Sequence, residues 1–218
     1  MTRVRAIFWD FDGVLADTEN AHIAAWERTF ADMGLDVAPE VCARAAEIDD
    51  RTFLTEVLAK LHIANGDIDG WMCRKQELIV PILIDSPRLY PGVVDTVERY
   101  FARGIRLGVV TTTWRANVAA VLDASKIADR FEFVIAKEDV RATKPDPEAY
   151  SLALKRFKLS AGSAIALEDS PSGIASARAA GLRVVAICSR RPPGDWSKEA
   201  IITLPDFLDT SELDRILD

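Results

Sequence analysis

Short apolar runs alternate with helical stripes over most of the chain. Residues 107–110, 131–135, 164–167 and 184–187 are near-continuous apolar runs, and 4–10 opens the set. Between them lie helical stretches near 93–103, 115–125, 147–157 and 172–180. Strands apolar on both sides, alternating with helices, predict a parallel sheet covered on both faces. Residues 17–85 carry no strand-like run. Ile23, Trp26, Phe30 and Met33 recur at helical spacing, as do Phe53, Leu54, Val57, Leu58 and Leu61. Ile68, Trp71, Met72, Leu78, Ile79, Ile82 and Leu83 form a third stripe. An all-helical insert after the first strand follows, with its exit at Pro87 and the Tyr90-Pro91-Gly92 turn. The expected division is a core of 1–16 with 91–218 and a helical domain of 17–90. Ligands bind such sheets off the carboxyl ends of the strands, so the insert is placed either as a lid or as a rigid subdomain.

The totals change this picture little. A chain of 218 residues, 49% hydrophobic and 28% charged, has ordinary globular composition. A net charge of −7 argues against a broad nucleic-acid or anionic-membrane surface. Cys42, Cys73 and Cys188 are scattered, with no CxxC, and read as free thiols of a reducing compartment. The first apolar stretch is too short for a signal segment, and no run approaches a membrane span. The expectation is a cytoplasmic monomer without membrane or nucleic-acid partners.

The chemistry gathers at strand ends. The first strand runs into Asp10-Phe-Asp12-Gly13. Residues i and i+2 of a strand share a face, and two carboxylates that close repel by roughly 4 kcal/mol at an effective dielectric of about 20. A cation must sit between them or one must hold a proton; Mg²⁺ meets that need through oxygen ligands. One acid can then attack while the other moves a proton. The alternative is an acidic turn. The next strand ends in Thr111-Thr112-Thr113, hydroxyls suited to phosphate oxygens. Lys144-Pro145-Asp146-Pro147 follows the third strand, and the prolines hold Lys144 in an extended loop before a helix. Glu168 and Asp169 end the fourth. If they share the cleft, four carboxylates converge, a hard oxygen site for Mg²⁺ beside the Lys144 cation. The alternative for this second pair is capping the helix that follows.

Those motifs, in that order and spacing, resemble the haloacid dehalogenase-like phosphohydrolases over the whole chain. Asp17-Thr18-Glu19, His22, Trp26 and Tyr90-Pro-Gly resemble the β-phosphoglucomutase-like group, whose close relatives include phosphatases of sugar phosphates and Rubisco-associated sugar bisphosphates. The resemblance implies an α/β fold, a Rossmann-like doubly wound parallel sheet with an inserted α-helical cap. It implies a Mg²⁺-dependent phosphatase of a small phosphorylated metabolite, sugar-like, working through an aspartyl-phosphate. Asp10 would be the nucleophile and Asp12 the acid and base. Thr111, Thr112 and Lys144 would bind the phosphoryl group. Asp10, the Asp12 carbonyl, Glu168 and Asp169 would hold the metal.

Three insert residues match the group's substrate positions. Lys75 lies on the third apolar stripe, where a lysine either snorkels to the edge or serves a site. Arg51 opens the second cap helix against the dipole; its alternative is pairing with Asp49 or Asp50. His22 lies at the edge of the first stripe and would order the Asp12 loop or a substrate hydroxyl, unless it is purely structural. Ile48 replaces a usual glycine, Asp50 a small polar residue, and Trp114 and Arg115 follow the threonines where mutases are smaller. A β-phosphoglucomutase-type mutase is the second reading. A phosphorylatable receiver and a catalytically silent binding protein are the non-enzyme readings.

Overall fold

The computed structural model describes residues 3–46, 48–64 and 66–218. In chain order, β1 (Ala6–Trp9) leads into α1 (Glu19–Asp32), α2 (Pro39–Cys42), α3 (Asp50–Lys60) and α4 (Ile68–Asp85). Then come α5 (Val93–Ala102), β2 (Arg106–Val110), α6 (Arg115–Ala124), β3 (Phe133–Ile135), α7 (Glu148–Phe157), β4 (Ala164–Glu168), α8 (Pro171–Ala179), β5 (Arg183–Ile187), β6 (Ile202–Leu204) and α9 (Ser211–Leu217). The chain divides into two units, Met1–Asp17 with Arg88–Asp218, and Thr18–Pro87. The second boundary falls three residues before the expected one.

The first unit is an α/β fold. Its sheet is parallel throughout, in the order β3-β2-β1-β4-β5-β6. The five apolar runs all form strands; β6, at the edge, was not expected from the sequence. Alternate residues of β1 face opposite ways. Ala6 and Phe8 pack with Tyr150, Ala153 and Phe157 of α7 and with Ile174 and Ala177 of α8. Phe8 stacks on Phe157 at 5.5 Å between centroids, whereas Trp9 faces Phe207 at 5.1 Å. Both sheet faces are therefore aromatic-filled at β1, and emptying Phe8 to alanine would cost roughly 3–5 kcal/mol. Strand order reverses between β1 and β4, the position where such sheets open a crevice beyond their carboxyl ends.

The segments entering and leaving the helical insert run side by side. The Asp17 N–H donates to the Arg88 carbonyl at 2.9 Å and the Tyr90 N–H to the Leu15 carbonyl at 3.1 Å. Ala16 and Leu89 form an antiparallel bridge.

The second unit is helical. Trp26 and Phe30 of α1 meet Phe53 of α3, with centroids 5.3 and 6.0 Å from that ring. Leu54, Val57 and Leu58 complete this core. Asp49 caps α3 by accepting from the Thr52 N–H at 3.1 Å, and Asp67 caps α4 by accepting from the Gly70 N–H at 2.9 Å.

Candidate active site

Asp10 is the first residue past β1, and its N–H donates to the Leu167 carbonyl of neighbouring β4 at 3.0 Å. The chain then turns sharply: the Leu15 and Ala16 N–H groups both donate to the Phe11 carbonyl at 2.9 Å. Gly13 makes the turn at φ +84°, and a Cβ there would stand 2.0 Å from Asp169 Oδ2. Only glycine tolerates both that dihedral and that approach. Asp12 is half-buried and close enough for its charge to repel that of Asp169.

Lys144 reaches this point from the loop before α7. Its Nζ donates to Asp10 Oδ1 at 2.9 Å, to the Val110 carbonyl at the end of β2 at 2.9 Å, and to Glu168 Oε1 at 2.6 Å. The loop is pinned from two sides. Asp146 Oδ1 accepts from the Glu148 N–H at 2.9 Å, and the Ser176 hydroxyl of α8 donates to the Asp146 carbonyl at 2.6 Å. Burial opposes the Lys144 charge, but Asp10 and Glu168 outweigh it and hold the ammonium above its ordinary pKa.

Glu168 closes β4 with no solvent exposure. Its Oε1 also accepts from the Tyr150 hydroxyl of α7. Glu168 Oε2 and Asp169 Oδ2 are buried, and among the described residues neither has a hydrogen-bond donor. Burial, then the Asp10 charge, pushes both carboxyls up from the usual range. Asp10, Glu168 and Asp169 each offer an oxygen, and these atoms lie within 4.8 Å of one another. Buried, donor-less, all-oxygen and strained by mutual repulsion, this set fits a hard divalent cation. Neither acid caps α8. Ser170 does, its Oγ accepting from the Gly173 N–H at 3.0 Å, which removes the capping account of Glu168 and Asp169.

Thr111 is buried at the end of β2, next to the Val110 carbonyl that Lys144 binds, and its hydroxyl oxygen accepts from the Thr113 N–H at 3.1 Å. Thr112 is exposed. Arg115 pairs with Asp139.

The family's sequence profile, haloacid dehalogenase-like hydrolase, matches residues 7–187. The chain belongs to the haloacid dehalogenase-like hydrolases. It is 37% identical over 219 residues to Protein CbbY of Rhodobacter capsulatus, covering 94% of each chain. It is 28% identical over 184 residues to the fructose-1-phosphate phosphatase YqaB of Escherichia coli, covering 84% of this chain and 96% of that one. A crystal structure of a mutant CbbY from Rhodobacter sphaeroides, in complex with xylulose-(1,5)bisphosphate, superposes with a TM-score of 0.77 at 29% identity, over 95% of this chain and 96% of that one. Family, relatives and the acid cluster make this chain a phosphohydrolase.

Two residues of the core site escaped the sequence reading. Tyr150 lies in the first turn of α7, six residues past Lys144, and its hydroxyl had no motif to mark it. Arg190 follows β5 and sits with Nη1 3.6 Å from Asp169 Oδ2. Extending the rule of polar groups at strand ends to the fifth strand, Cys188-Ser189-Arg190-Arg191, would have found it.

In the helical unit, Lys75 does not snorkel. It is 1% exposed, with Nζ 2.7 Å from Asp50 Oδ2 and 2.8 Å from His22 Nδ1. Asp50 Oδ1 accepts from the Trp26 indole N–H at 2.8 Å. Burial pushes Asp50 up, but the neighbouring His22 and Lys75 outweigh it and hold the carboxyl well below the usual range. Arg51 is exposed and pairs with Asp69 of α4. The expected alternative partners are otherwise engaged: Asp49 caps α3 and Asp50 binds Lys75.

Proposed function

We propose that the chain is a Mg²⁺-dependent phosphatase of a small sugar phosphate, acting through an aspartyl-phosphate. The observation that supports this most is Lys144 bridging Asp10 and Glu168 beside two buried acid oxygens without donors. Asp10, the Asp12 carbonyl, Glu168 and Asp169 would hold the cation, which when bound neutralises charge on the transferring phosphoryl group. Lys144 fixes the Asp10 carboxylate and offers positive charge where phosphoryl oxygens gather; Thr111, with Thr112, adds donors at the end of β2. An Asp10 oxygen forms a bond to phosphorus as the ester P–O bond breaks, and Asp12 delivers its proton to the leaving sugar oxygen. Water then attacks phosphorus, gives a proton to Asp12, and releases inorganic phosphate and the Asp10 carboxylate. His22, Arg51 and Lys75 would select the substrate from the cap.

The relatives that act on or bind phosphorylated sugars support the substrate class. Three cysteines without disulfides support a cytoplasmic setting, and among the described residues no helix is long and apolar enough to cross a membrane. The test is phosphate release from a panel of sugar phosphates and bisphosphates, with Mg²⁺ and with chelator. Turnover should need Mg²⁺ and vanish in Asp10→Asn. An Asn variant as active as the wild type removes Asp10 as nucleophile. Isomerised sugar phosphate without stoichiometric inorganic phosphate would make the enzyme a mutase instead.

A further inference from the structure

The acids of the core site are not balanced by Lys144 alone. Asp10, Asp12, Glu168 and Asp169 bring four negative charges to one place. Lys144 returns one positive charge, through hydrogen bonds to Asp10 and Glu168. Arg190 returns a second from the opposite flank, with Nη1 3.6 Å from Asp169 Oδ2. Its side chain is only 21% exposed. The hydrogen of Gly13 is what admits it, since a Cβ there would meet both Asp169 Oδ2 at 2.0 Å and Arg190 Cδ at 2.6 Å. The arginine is therefore built into the site and does not trail across it. Arg191, the next cation along, is exposed and lies over the Trp196 ring, and its charge acts on Asp169 less strongly than that of Arg190.

With all four acids ionised, Lys144 and Arg190 leave a charge of −2, which one divalent cation cancels; the exposed Arg191 adds only a weaker, screened positive charge toward Asp169. The loaded site is then near neutral and accepts a phosphate dianion without net repulsion. Without the Arg190 charge the empty site stands at −3 and the loaded site at −1. A cation would be held more tightly and an anion more weakly.

We propose that Arg190 sets this balance, loosening the hold on the divalent cation in exchange for affinity toward the phosphate anion. The proposal rests on the metal-dependent reading above. Arg190 acts through Asp169 and through the field of the site, so it is a positioning residue, and charge rather than the shape of the guanidinium is what counts.

The experiment is calorimetric titration of the full chain with Mg²⁺, followed by inorganic phosphate into the Mg²⁺-saturated protein, for wild type, Arg190→Gln and Arg190→Lys. Arg190→Gln should bind Mg²⁺ about 5-fold more tightly and phosphate about 5-fold more weakly, the effect of one unit charge at partly screened range. Arg190→Lys should return both affinities to within about 2-fold of wild type. Arg190→Met gives the same contrast if the glutamine variant does not fold. Affinities unchanged in the uncharged variant overturn the proposal. So does a parallel weakening of both ligands, which misplacement of Asp169 would give. A wild-type protein that binds no Mg²⁺ removes the metal-dependent reading and this inference with it; Mg²⁺ binding that is indifferent to residue 190 removes this inference alone.

Discussion

Gly173 and Glu168 share a boundary that leaves no room for a methyl group: a Cβ on Gly173 would stand 1.8 Å from Glu168 Oε2. The first turn of α8 thus shapes the pocket that holds the acid at the end of β4. Gly173→Ala must push that carboxylate away from Lys144 or push α8 off the sheet. Overpacking of this kind costs roughly 1–3 kcal/mol, and a displaced site loses on the order of 10²-fold in rate. Thermal denaturation and steady-state phosphate release on the same preparation should show both losses. A variant with native kcat would mean that the site is softer than this contact implies.

Lys144→Met removes a side chain that hydrogen-bonds both Asp10 and Glu168. Two buried acids then face each other without their cation, and one takes up a proton. The expected fall in kcat/KM is about 10²–10³-fold, the scale for removing one preorganised charge from a transition state. The activity–pH profile should also change shape, because the lost ammonium no longer keeps the acids ionised.

Tyr150→Phe tests the second donor on Glu168. Its hydroxyl gives a hydrogen bond to a fully buried carboxylate, and bonds to charged groups are worth about 1.5–3 kcal/mol. Chemical denaturation should show a loss of that size. Mg²⁺ affinity should shift as well, because the rotamer of Glu168 is less firmly held.

The Asp50–Lys75 pair should dominate the acid stability of the helical unit. Lys75 is buried, so Asp50→Asn leaves an ammonium without its carboxylate, at a cost of about 3 kcal/mol. Asp50→Asn with Lys75→Met should recover part of it. The sign with pH is fixed by direction: the folded carboxyl lies below its unfolded value near 4. The stabilisation is complete above that value and is lost as pH falls beneath it toward the folded pKa. Denaturation series between about pH 6 and pH 2.5 should show this slope in the wild type and a shallower one in Asp50→Asn.

Binding of a cation to the native acids alone should raise the melting temperature. At Mg²⁺ about 100 times its dissociation constant the gain is roughly 2.7 kcal/mol. Chelator should reverse it, and Asp169→Asn should reduce it sharply. A melting temperature indifferent to Mg²⁺ in the wild type would sink the metal assignment.

The core was legible in the sequence because its strands are buried on both faces and so read as unbroken apolar runs. The edge strand β6 escaped because Ile202-Thr203-Leu204 is only three residues long and its middle position is exposed. Helix α9 escaped for a similar reason, with seven residues and a single buried stripe from Leu213 to Leu217. Asp10, Glu168 and Asp169 were readable because they close or follow a strand, where a polar residue after an apolar run is conspicuous, and Lys144 because Pro145 and Pro147 mark its loop before α7. Tyr150 was not, since an aromatic on a core helix looks like packing until its hydroxyl is placed. In the helical unit, residue types were visible but partners were not. Arg51 has two acids beside it in sequence and pairs with neither, because one caps α3 and the other turns inward to Lys75.

The paired segments at Asp17 and Arg88 carry a consequence for modularity. Seventy residues leave and return through one short two-stranded ribbon, so the ends of the excursion are already adjacent when the sheet forms. Closing the core across that gap costs chain entropy that grows only slowly with length, about 0.6 kcal/mol for each doubling of the excursion. The insert can thus be shortened, lengthened or exchanged without redesigning the sheet or moving the acids at its strand ends.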